Sequence, residues 1–452
     1  MRQLVILGGG TAGTMAANKL RRKLDRAEWA ITVVDRDDTH HYQPGYLFLP
    51  FGTYTRDQVV RSRHRFIGDG IDLVLAEIDR VDAAAHTVHL AGGRELAYDQ
   101  LIIATGCEPR PDKTPGMAEA MAADETTARG GAGVHGSGAR VHQFYTLEGA
   151  LALHEALERF TGGRLVIHIN ELPIKCPVAP LEFAFLADEY FTKRGLRESV
   201  ELVYVTPLDG AFTKATCSKA LGYLLEERGV AMETDFATER IDVEDSPAGF
   251  NAVVSYDERE VPFDLLVTVP INLGQEWVAR SGLGDDMNYV PTDKHTLRSV
   301  DHDDIWVLGD AGDIPTSKAG SVAHFAVEIL EHNFLAAIAG EPLTASFDGH
   351  SNCFIESGYG KALLIDFNYD TEPLAGTFPL PKVGPMQLLK ETRANHAGKL
   401  AFRHIYWNVL LPGHRMPIPA NMSMAGKDLS SAVTPKAPPV PGGGHGTHVP
   451  TF

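Results

Sequence analysis

Residues 2–13 read RQLVILGGGTAG and decide the fold of this chain. The apolar residues at the start predict a short buried strand, and the Ala-rich pattern that continues to about Leu20 predicts a helix. Between them, Gly8, Gly10 and Gly13 fit the spacing G-x-G-x-x-G. The first glycine of this pattern allows a tight turn, the second lets the backbone approach a pyrophosphate, and the third lets helix and strand pack closely.

A second predicted strand, residues 30–34, ends in Asp35. A carboxylate at this position can accept a hydrogen bond from a ribose hydroxyl, and the N-terminus of the preceding helix offers unpaired N–H groups to phosphates. The glycine spacing alone also fits a Gly-rich turn in some other α/β fold. The strand, the helix and Asp35 together favour a dinucleotide-binding unit.

The composition narrows the class of protein. A length of 452 residues predicts two or three domains, and a net charge of -18 argues against a nucleic-acid binder. No stretch has the ~18 uncharged apolar residues of a spanning helix, and a strand beginning at Arg2 leaves no room for a signal peptide. Cys107, Cys176, Cys217 and Cys353 are too far apart for the usual zinc spacing or a dense disulfide scaffold. They leave room for a long-range redox pair, and we predict no metal site.

Two later stretches extend the nucleotide pattern. An apolar strand ends in Ala104-Thr105-Gly106, and another ends in Gly309-Asp310 before a helix from about Gly320. In this order the three stretches resemble flavoproteins with two dinucleotide-binding domains, such as disulfide reductases and type II NADH dehydrogenases. The resemblance implies FAD, with Thr105 and Gly106 in its site. It also implies that Asp310 contacts the ribityl or pyrophosphate region and that the helix from Gly320 points at the flavin's pyrimidine edge.

The resemblance implies an α/β fold with two Rossmann-like domains and a C-terminal α+β membrane-interaction region. The predicted domains are a discontinuous FAD domain (1–145 and 286–350), a degenerate second domain carrying Cys176 (146–285), a redox and membrane/quinone region (351–428) and a disordered tail (429–452). Residues 116–139, rich in Gly and Ala, are expected to form a mobile excursion.

The second domain departs from the usual pattern. Its first predicted strand, residues 164–169, is followed by Pro173-Ile174-Lys175-Cys176-Pro177 in place of a glycine loop. Bulky side chains and prolines block backbone approach to a pyrophosphate and remove N–H donors. NADH and NADPH are therefore not expected to be the reductant. Residues 35–61 also lack the C-x4-C pair of disulfide reductases.

This departure points to a narrower resemblance. Lys175-Cys176-Pro177, with Pro180 and a late Cys353-Phe354, resembles sulfide:quinone oxidoreductases and flavocytochrome c sulfide dehydrogenases over roughly residues 1–425. The resemblance implies that Cys176 and Cys353 flank the flavin as a redox pair that oxidises sulfide to persulfide or polysulfide sulfur. Electrons would pass through FAD to membrane quinone, with Phe354 against the quinone ring. A helix start and Lys175 beside Cys176 predict a stabilised thiolate.

Other residues near these motifs carry less decisive signals. Cys176 and Cys353 could instead be two unrelated buried cysteines, since free cysteine is commonly buried. Cys107 and Cys217 match no position of the family and are expected to be structural. Lys318 precedes the last flavin helix, where a cation would stabilise reduced flavin, or it is a solvated lysine. Glu182 would be a general base or simply a favourable first-turn residue of a helix.

Residues 382–415 are basic and aromatic, unlike the rest of this acidic chain. The mixture suits a peripheral element on an anionic membrane surface, although a helix packed on the core also fits. We expect sulfide and quinone as substrates at the cytoplasmic face of the cell membrane and leave homo-oligomerisation open. FAD should be non-covalent, since no cysteine lies near Tyr42. The alternatives are a soluble sulfide or persulfide dehydrogenase with a protein acceptor and a type II NADH:quinone dehydrogenase.

Overall fold

The computed structural model describes residues 1–127, 140–244 and 249–431, without the side chains of residues 123–127. The strands are β1 (Arg2–Leu7), β2 (Trp29–Asp35), β3 (Thr39–His41), β4 (Val60–Ser62), β5 (Asp72–Leu75), β6 (Ile78–Asp82), β7 (Thr87–Leu90), β8 (Glu95–Ala97), β9 (Gln100–Ile103), β10 (Cys107–Pro109), β11 (Val141–His142), β12 (Gly163–Ile169), β13 (Val200–Val205), β14 (Val230–Glu233), β15 (Thr238–Asp242), β16 (Ala252–Ser255), β17 (Glu260–Pro262), β18 (Leu265–Val269), β19 (Asn272–Gly274), β20 (Ile305–Val307), β21 (Ser351–Gly358), β22 (Lys361–Phe367), β23 (Gly376–Leu380) and β24 (Gly384–Leu388). The helices are α1 (Thr11–Arg21), α2 (Arg56–Val59), α3 (Met117–Thr127), α4 (Leu147–Arg159), α5 (Ala179–Lys193), α6 (Ala215–Glu227), α7 (Glu276–Arg280), α8 (Gly320–Ile338) and α9 (Arg393–Ile405).

The first large sheet is parallel, with the strand order β20-β9-β1-β2-β5. Chain order reverses at β1, which pairs with β2 on one side and with β9 on the other. Ligands of such sheets bind outside the carboxyl ends of the strands at this switch point. The predicted strand at residues 2–7 is confirmed, and the glycine loop that follows it lies at the switch point.

The second large sheet is also parallel, in the order β11-β18-β12-β13-β14. Strand β12 is central, and Leu165 to Ile169 are buried because both faces of the sheet are covered. Helix α5 follows β12 and carries Glu182. The two parallel sheets confirm the expected α/β architecture with two Rossmann-like sheets.

Helix α3 begins at Met117, within the segment expected to be a mobile excursion. That expectation is wrong for residues 117–127, because Met117 and Ala120 are buried in the core beneath β15 and β16. Residues 128–139 lie outside the described part of the chain, as does most of the predicted tail, from residue 432 onward.

The C-terminal region consists of two hairpins and a helix. Strands β21 and β22 pair antiparallel and turn at residues 359–360, as the glycines there predict. Strands β23 and β24 form the second hairpin, and α9 packs on β21, β22 and β24. Within the described residues, no helix combines the length and apolar character needed to span a bilayer.

Candidate active site

The three glycines of the first loop meet different surroundings. Gly8 has φ +94, and a Cβ there would lie 2.4 Å from the carbonyl oxygen of Ala104. A Cβ on Gly13 would lie 1.8 Å from the carbonyl oxygen of Gly8. A Cβ on Gly10, in contrast, would meet nothing within 4 Å. Gly8 and Gly13 are therefore required by packing, whereas Gly10 turns an open backbone face towards a cavity.

That cavity has a volume of about 410 Å³ and lies at the carboxyl ends of β1 and β2. The Asp35 carboxylate lines it, accepts a hydrogen bond from the backbone N–H of Gly9 (2.7 Å) and forms an ion pair with Arg63 Nη1 (2.9 Å). Arg63, which is buried, also donates to the carbonyl oxygen of Gly9. Asp35 is thus placed where a ribose would bind, and Arg63 is a residue that the sequence motif did not reveal.

A second cavity, of about 200 Å³, shares Gly10 and Thr105 with the first. Its lining brings together residues from the three nucleotide-binding stretches, residues 8–13, 104–106 and 309–310. Its lining includes Gly10, Thr105, Gly106, Cys176, Glu182, Asp310, Lys318 and Gly320, together with Tyr145, Lys399 and Tyr406.

The two cavities fit FAD. Helices α1 and α8 both begin without a side-chain hydrogen bond to their first N–H groups, which leaves these donors for phosphate and for the flavin edge. The Thr105 hydroxyl is buried without a hydrogen-bond partner among the described residues. Added Cβ atoms at Gly106 and Gly320 would meet nothing within 4 Å. These open donors and open backbone faces fit the expected cofactor, FAD.

Lys318 is buried, so the alternative of a solvated lysine is wrong. Its ammonium donates to the carbonyl oxygens of Asp310 (3.1 Å) and Gly312 (2.9 Å) and lies 3.7 Å from the centre of the Tyr289 ring. Burial raises the pKa of the nearby Cys107 thiol to about 11. These contacts fix the loop before α8 and hold the Lys318 side chain on the wall of the flavin cavity, where burial lowers its pKa.

Cys176 adopts a left-handed backbone conformation with φ +47, which is uncommon for a residue other than glycine. Its N–H donates to the carbonyl oxygen of Lys318 (2.7 Å), and its own carbonyl accepts from the Tyr145 hydroxyl (3.3 Å). The expectation of a stabilised thiolate is wrong. Burial, and next the Glu182 carboxylate, raise the pKa of the Cys176 thiol, because burial disfavours an anion more than the helix start and Lys175 favour it.

Cys353 lies on β21 with its sulfur 3.8 Å from the Ser351 hydroxyl. Burial raises the pKa of the Cys353 thiol, opposed by hydrogen bonds from Ser351 and Ser321. Cys353 in turn contributes to the raised pKa of Cys176, so the two thiols lie within electrostatic reach of each other. All four cysteines are free, and Cys107 and Cys217 are fully enclosed by the core.

Glu182 and Lys399 form an ion pair beside these thiols. The Glu182 carboxylate accepts from Lys399 Nζ and from the backbone N–H of Glu356 (2.7 Å). Lys399 also donates to the carbonyl oxygen of Phe354 (3.1 Å). The side chains of Glu182 and Lys399 are 1% and 13% exposed. A buried ion pair requires this degree of hydrogen bonding to offset its desolvation.

Phe354 packs against α9. A Cβ on Gly398 would come within 2.9 Å of the Phe354 ring and 3.0 Å of the end of Met386, so the glycine lets the helix approach the hairpins closely. Phe354 is therefore held between β21 and α9. Its own carbonyl oxygen accepts the hydrogen bond from Lys399.

The turn after β12 replaces a glycine loop with Pro173-Ile174-Lys175-Cys176-Pro177, in which two residues have no backbone N–H. The cavity lined by Leu172, Pro173, Ile174 and Pro177 measures about 30 Å³. That a pyridine nucleotide does not bind here stays a prediction.

Comparison with known proteins relates this geometry to characterised enzymes. The model of the pyridine nucleotide-disulphide oxidoreductase family matches residues 2–139. The mitochondrial sulfide:quinone oxidoreductase of Mus musculus is 24% identical over 91% of this chain and 87% of the relative, and that of Schizosaccharomyces pombe is 25% identical over 90% and 89%. The crystal structure of the sulfide:quinone oxidoreductase from Aquifex aeolicus superimposes with a TM-score of 0.73 at 19% identity, covering 92% of both chains.

Proposed function

We propose that this flavin oxidoreductase, a homologue of the sulfide:quinone oxidoreductases over nine-tenths of its length, oxidises sulfide and reduces a quinone. The observation that carries the proposal is that Cys176 and the Glu182–Lys399 pair line the flavin cavity, while Cys353 on β21 lies within electrostatic reach of all three. Bound FAD accepts two electrons and gives them up again. The chain supplies the sulfur chemistry and the placement of both substrates.

The two cysteines are proposed to form a disulfide bridge in the oxidised enzyme. Hydrosulfide attacks one sulfur of the bridge, so that a new S–S bond makes a persulfide and the other sulfur leaves as a thiolate. The leaving thiolate needs a nearby cation in this dry site. Lys399 is suited to this role, since its ammonium acts to lower the pKa of both Cys176 and Cys353. Glu182 is proposed to accept a proton beside the entering sulfide.

The test is anaerobic stopped-flow bleaching of the flavin by sulfide in cysteine variants. Cys176→Ser and Cys353→Ser should lose about a thousandfold or more in bleaching rate, because neither can complete the bridge. Cys107→Ser and Cys217→Ser are matched controls and should bleach nearly normally. All four variants should retain FAD, since none of these side chains belongs to the glycine loops.

Near-normal bleaching of Cys353→Ser would contradict the proposed redox pair. NADH should bleach the wild-type flavin far more slowly than sulfide, and comparable rates would favour the NADH:quinone alternative. Reoxidation by a short-chain quinone, compared with a soluble cytochrome, distinguishes the quinone acceptor from a protein acceptor.

The quinone is proposed to reach the flavin from an anionic membrane surface, at the Phe354 side of the site. The tip of the β23–β24 hairpin supports this, because Leu380 and Val383 are 56% and 76% exposed and flank Lys382. The inner face of α9 is occupied by the protein, so the membrane contact is proposed for the hairpin tip and the outer helix face only. We propose that this surface meets the cytoplasmic face of the cell membrane.

A further inference from the structure

A row of polar groups runs from the flavin cavity to the protein surface. At its outer end, His396 Nδ1 lies 2.9 Å from Oε2 and 3.0 Å from Oε1 of Glu356. The His396 side chain is 29% exposed, whereas that of Glu356 is 1% exposed. A buried carboxylate is thereby joined to solvent through one imidazole, a side chain that can take up and release a proton near neutral pH.

The inner end of the row is the Glu182–Lys399 pair. An ammonium group has three donors, and Lys399 uses two of them on Glu182 and on the carbonyl of Phe354. The second carboxylate oxygen of Glu182 is buried without a hydrogen-bond partner among the described residues. The backbone N–H of Glu356 donates to the other oxygen of Glu182 (2.7 Å), which joins the two ends of the row. The Glu356 carboxylate also raises the pKa of Lys399.

The proposed reaction consumes a proton. With hydrosulfide as substrate the balance is HS⁻ + H⁺ + quinone → S⁰ + quinol: sulfur loses two electrons, the quinone gains them, and one of the two quinol protons comes from solvent. The active site is enclosed by α5, α9 and β21. Resting on the proposed function, we infer that His396 and Glu356 form a proton relay that connects solvent to the Glu182–Lys399 pair.

The surrounding charges suit proton transfer through the row. Glu182 faces Lys399, Glu356, Cys176 and Tyr145, and Glu356 faces Lys399, His396, Glu189 and Tyr54. Burial raises the pKa of both carboxyl groups, and the positive charge of Lys399 opposes this rise at each of them. Burial alone would lower the pKa of Lys399, but the two carboxylates raise it overall.

The test uses His396→Gln and Glu356→Gln in the full-length FAD-loaded protein, with His89→Gln as control. His89 also contacts a surface glutamate, Glu95, at 3.1 Å, but it lies in the β6-β7-β8 sheet. The first readout needs no turnover: infrared spectroscopy follows hydrogen–deuterium exchange of the proton between Lys399 and the Glu182 carboxyl group, a pair that all three variants retain, after transfer to D₂O. Both relay variants should slow this exchange about tenfold or more, and the control should not.

The second readout separates the two half-reactions. Turnover with sulfide and decylubiquinone should fall about tenfold in both relay variants, with a larger solvent isotope effect and partial rescue by imidazole in His396→Gln. Sulfide bleaching without quinone should stay within about twofold of wild type, because the proton from solvent is needed for quinol formation. If Glu356→Gln loses FAD, His396→Gln carries the test, since its side chain lies at the surface.

Unchanged carboxyl exchange in His396→Gln would overturn the relay, as would equal losses in His396→Gln and His89→Gln. Failure of the proposed function gives a different result. In that case wild-type flavin would not be bleached by sulfide, while the exchange measurement would still show whether His396 connects the buried carboxyl to solvent.

Discussion

At the scale of single residues, Lys399 changes the chemistry expected of the cysteines. A helix start and Lys175 predicted a low pKa for Cys176, whereas burial and the Glu182 carboxylate raise it. The cation that opposes this rise comes from a different helix, through Lys399. Lys399 opposes the raised pKa of Cys176 only while α9 is docked, which couples the sulfur chemistry to the integrity of the C-terminal region.

The glycine loop gives a prediction at the same scale. Gly10→Ala should fold normally and bind FAD at least about tenfold more weakly, because the added methyl group enters the space above the first N–H groups of α1. Thermal unfolding of the apoprotein and fluorescence titration with FAD measure the two effects.

Two further glycine variants distinguish weaker FAD binding from a loss of fold stability. Gly13→Ala should destabilise the fold itself, since its Cβ meets a backbone oxygen at 1.8 Å. Gly222→Ala, in α6, is the control and should be neutral or slightly stabilising, because its nearest neighbour is 4.0 Å away. Wild-type FAD affinity in Gly10→Ala would argue against a pyrophosphate at this loop.

At the scale of elements, α9 turns a row of polar and basic side chains towards the protein. Asn395, Lys399 and Arg403 recur every four residues and face the protein, where Asn395 donates to the carbonyl oxygens of Ala362 and Gln387. Arg403 lies 4.5 Å from the centre of the Tyr54 ring. The basic character of residues 382–415 is thus partly used inside the protein, which leaves the hairpin tip and the outer face of α9 for the proposed membrane contact.

The proposed membrane contact of the β23–β24 hairpin can be tested by substitution at its tip. Replacing Leu380 and Val383 by Asp should reduce binding to anionic liposomes by about tenfold, because two exposed apolar side chains are lost and two negative charges are added. Liposome sedimentation measures this, and sulfide-driven flavin bleaching should be unchanged. Val300→Asp alters a side chain of similar exposure (66%) outside residues 382–415 and is the control. Equal binding of the hairpin variant and wild type would contradict the membrane surface.

The secondary-structure elements also show which features of the fold could be predicted from the sequence. Strands such as β1 and β12 follow from short-range apolar patterns, and the structure has β12 within one residue of the expected bounds, residues 164–169. The Glu182–Lys399 pair could not be found in this way, because it joins residues far apart in the chain. The one local signal was the four-residue spacing of polar side chains on α9, which the basic composition obscured.

At the scale of the whole molecule, neutral histidines in the core set the response to acid. Burial lowers the pKa of His40 to about 3, of His168 to about 3 and of His324 to about 4. The unfolded chain binds protons at these side chains below pH ~6.5, whereas the folded protein does not until the pH falls much further. Stability should therefore decrease as the pH falls from about 6.5 towards 4.

His168 allows the clearest test, because it lies in the second sheet between the hydroxyl groups of Thr268 (2.8 Å) and Thr238 (2.7 Å), away from the flavin cavity. His168→Gln removes the titrating group while it can keep one of these hydrogen bonds. The variant should lose some stability at pH ~7, yet between pH ~7 and ~5 its unfolding free energy should fall by about 2 kcal/mol less than that of wild type. Urea unfolding followed by fluorescence at both pH values measures the difference, with the exposed His414→Gln as control. An identical pH dependence of His168→Gln and wild type would mean that His168 is already solvated in the folded protein, which its complete burial between two strands argues against.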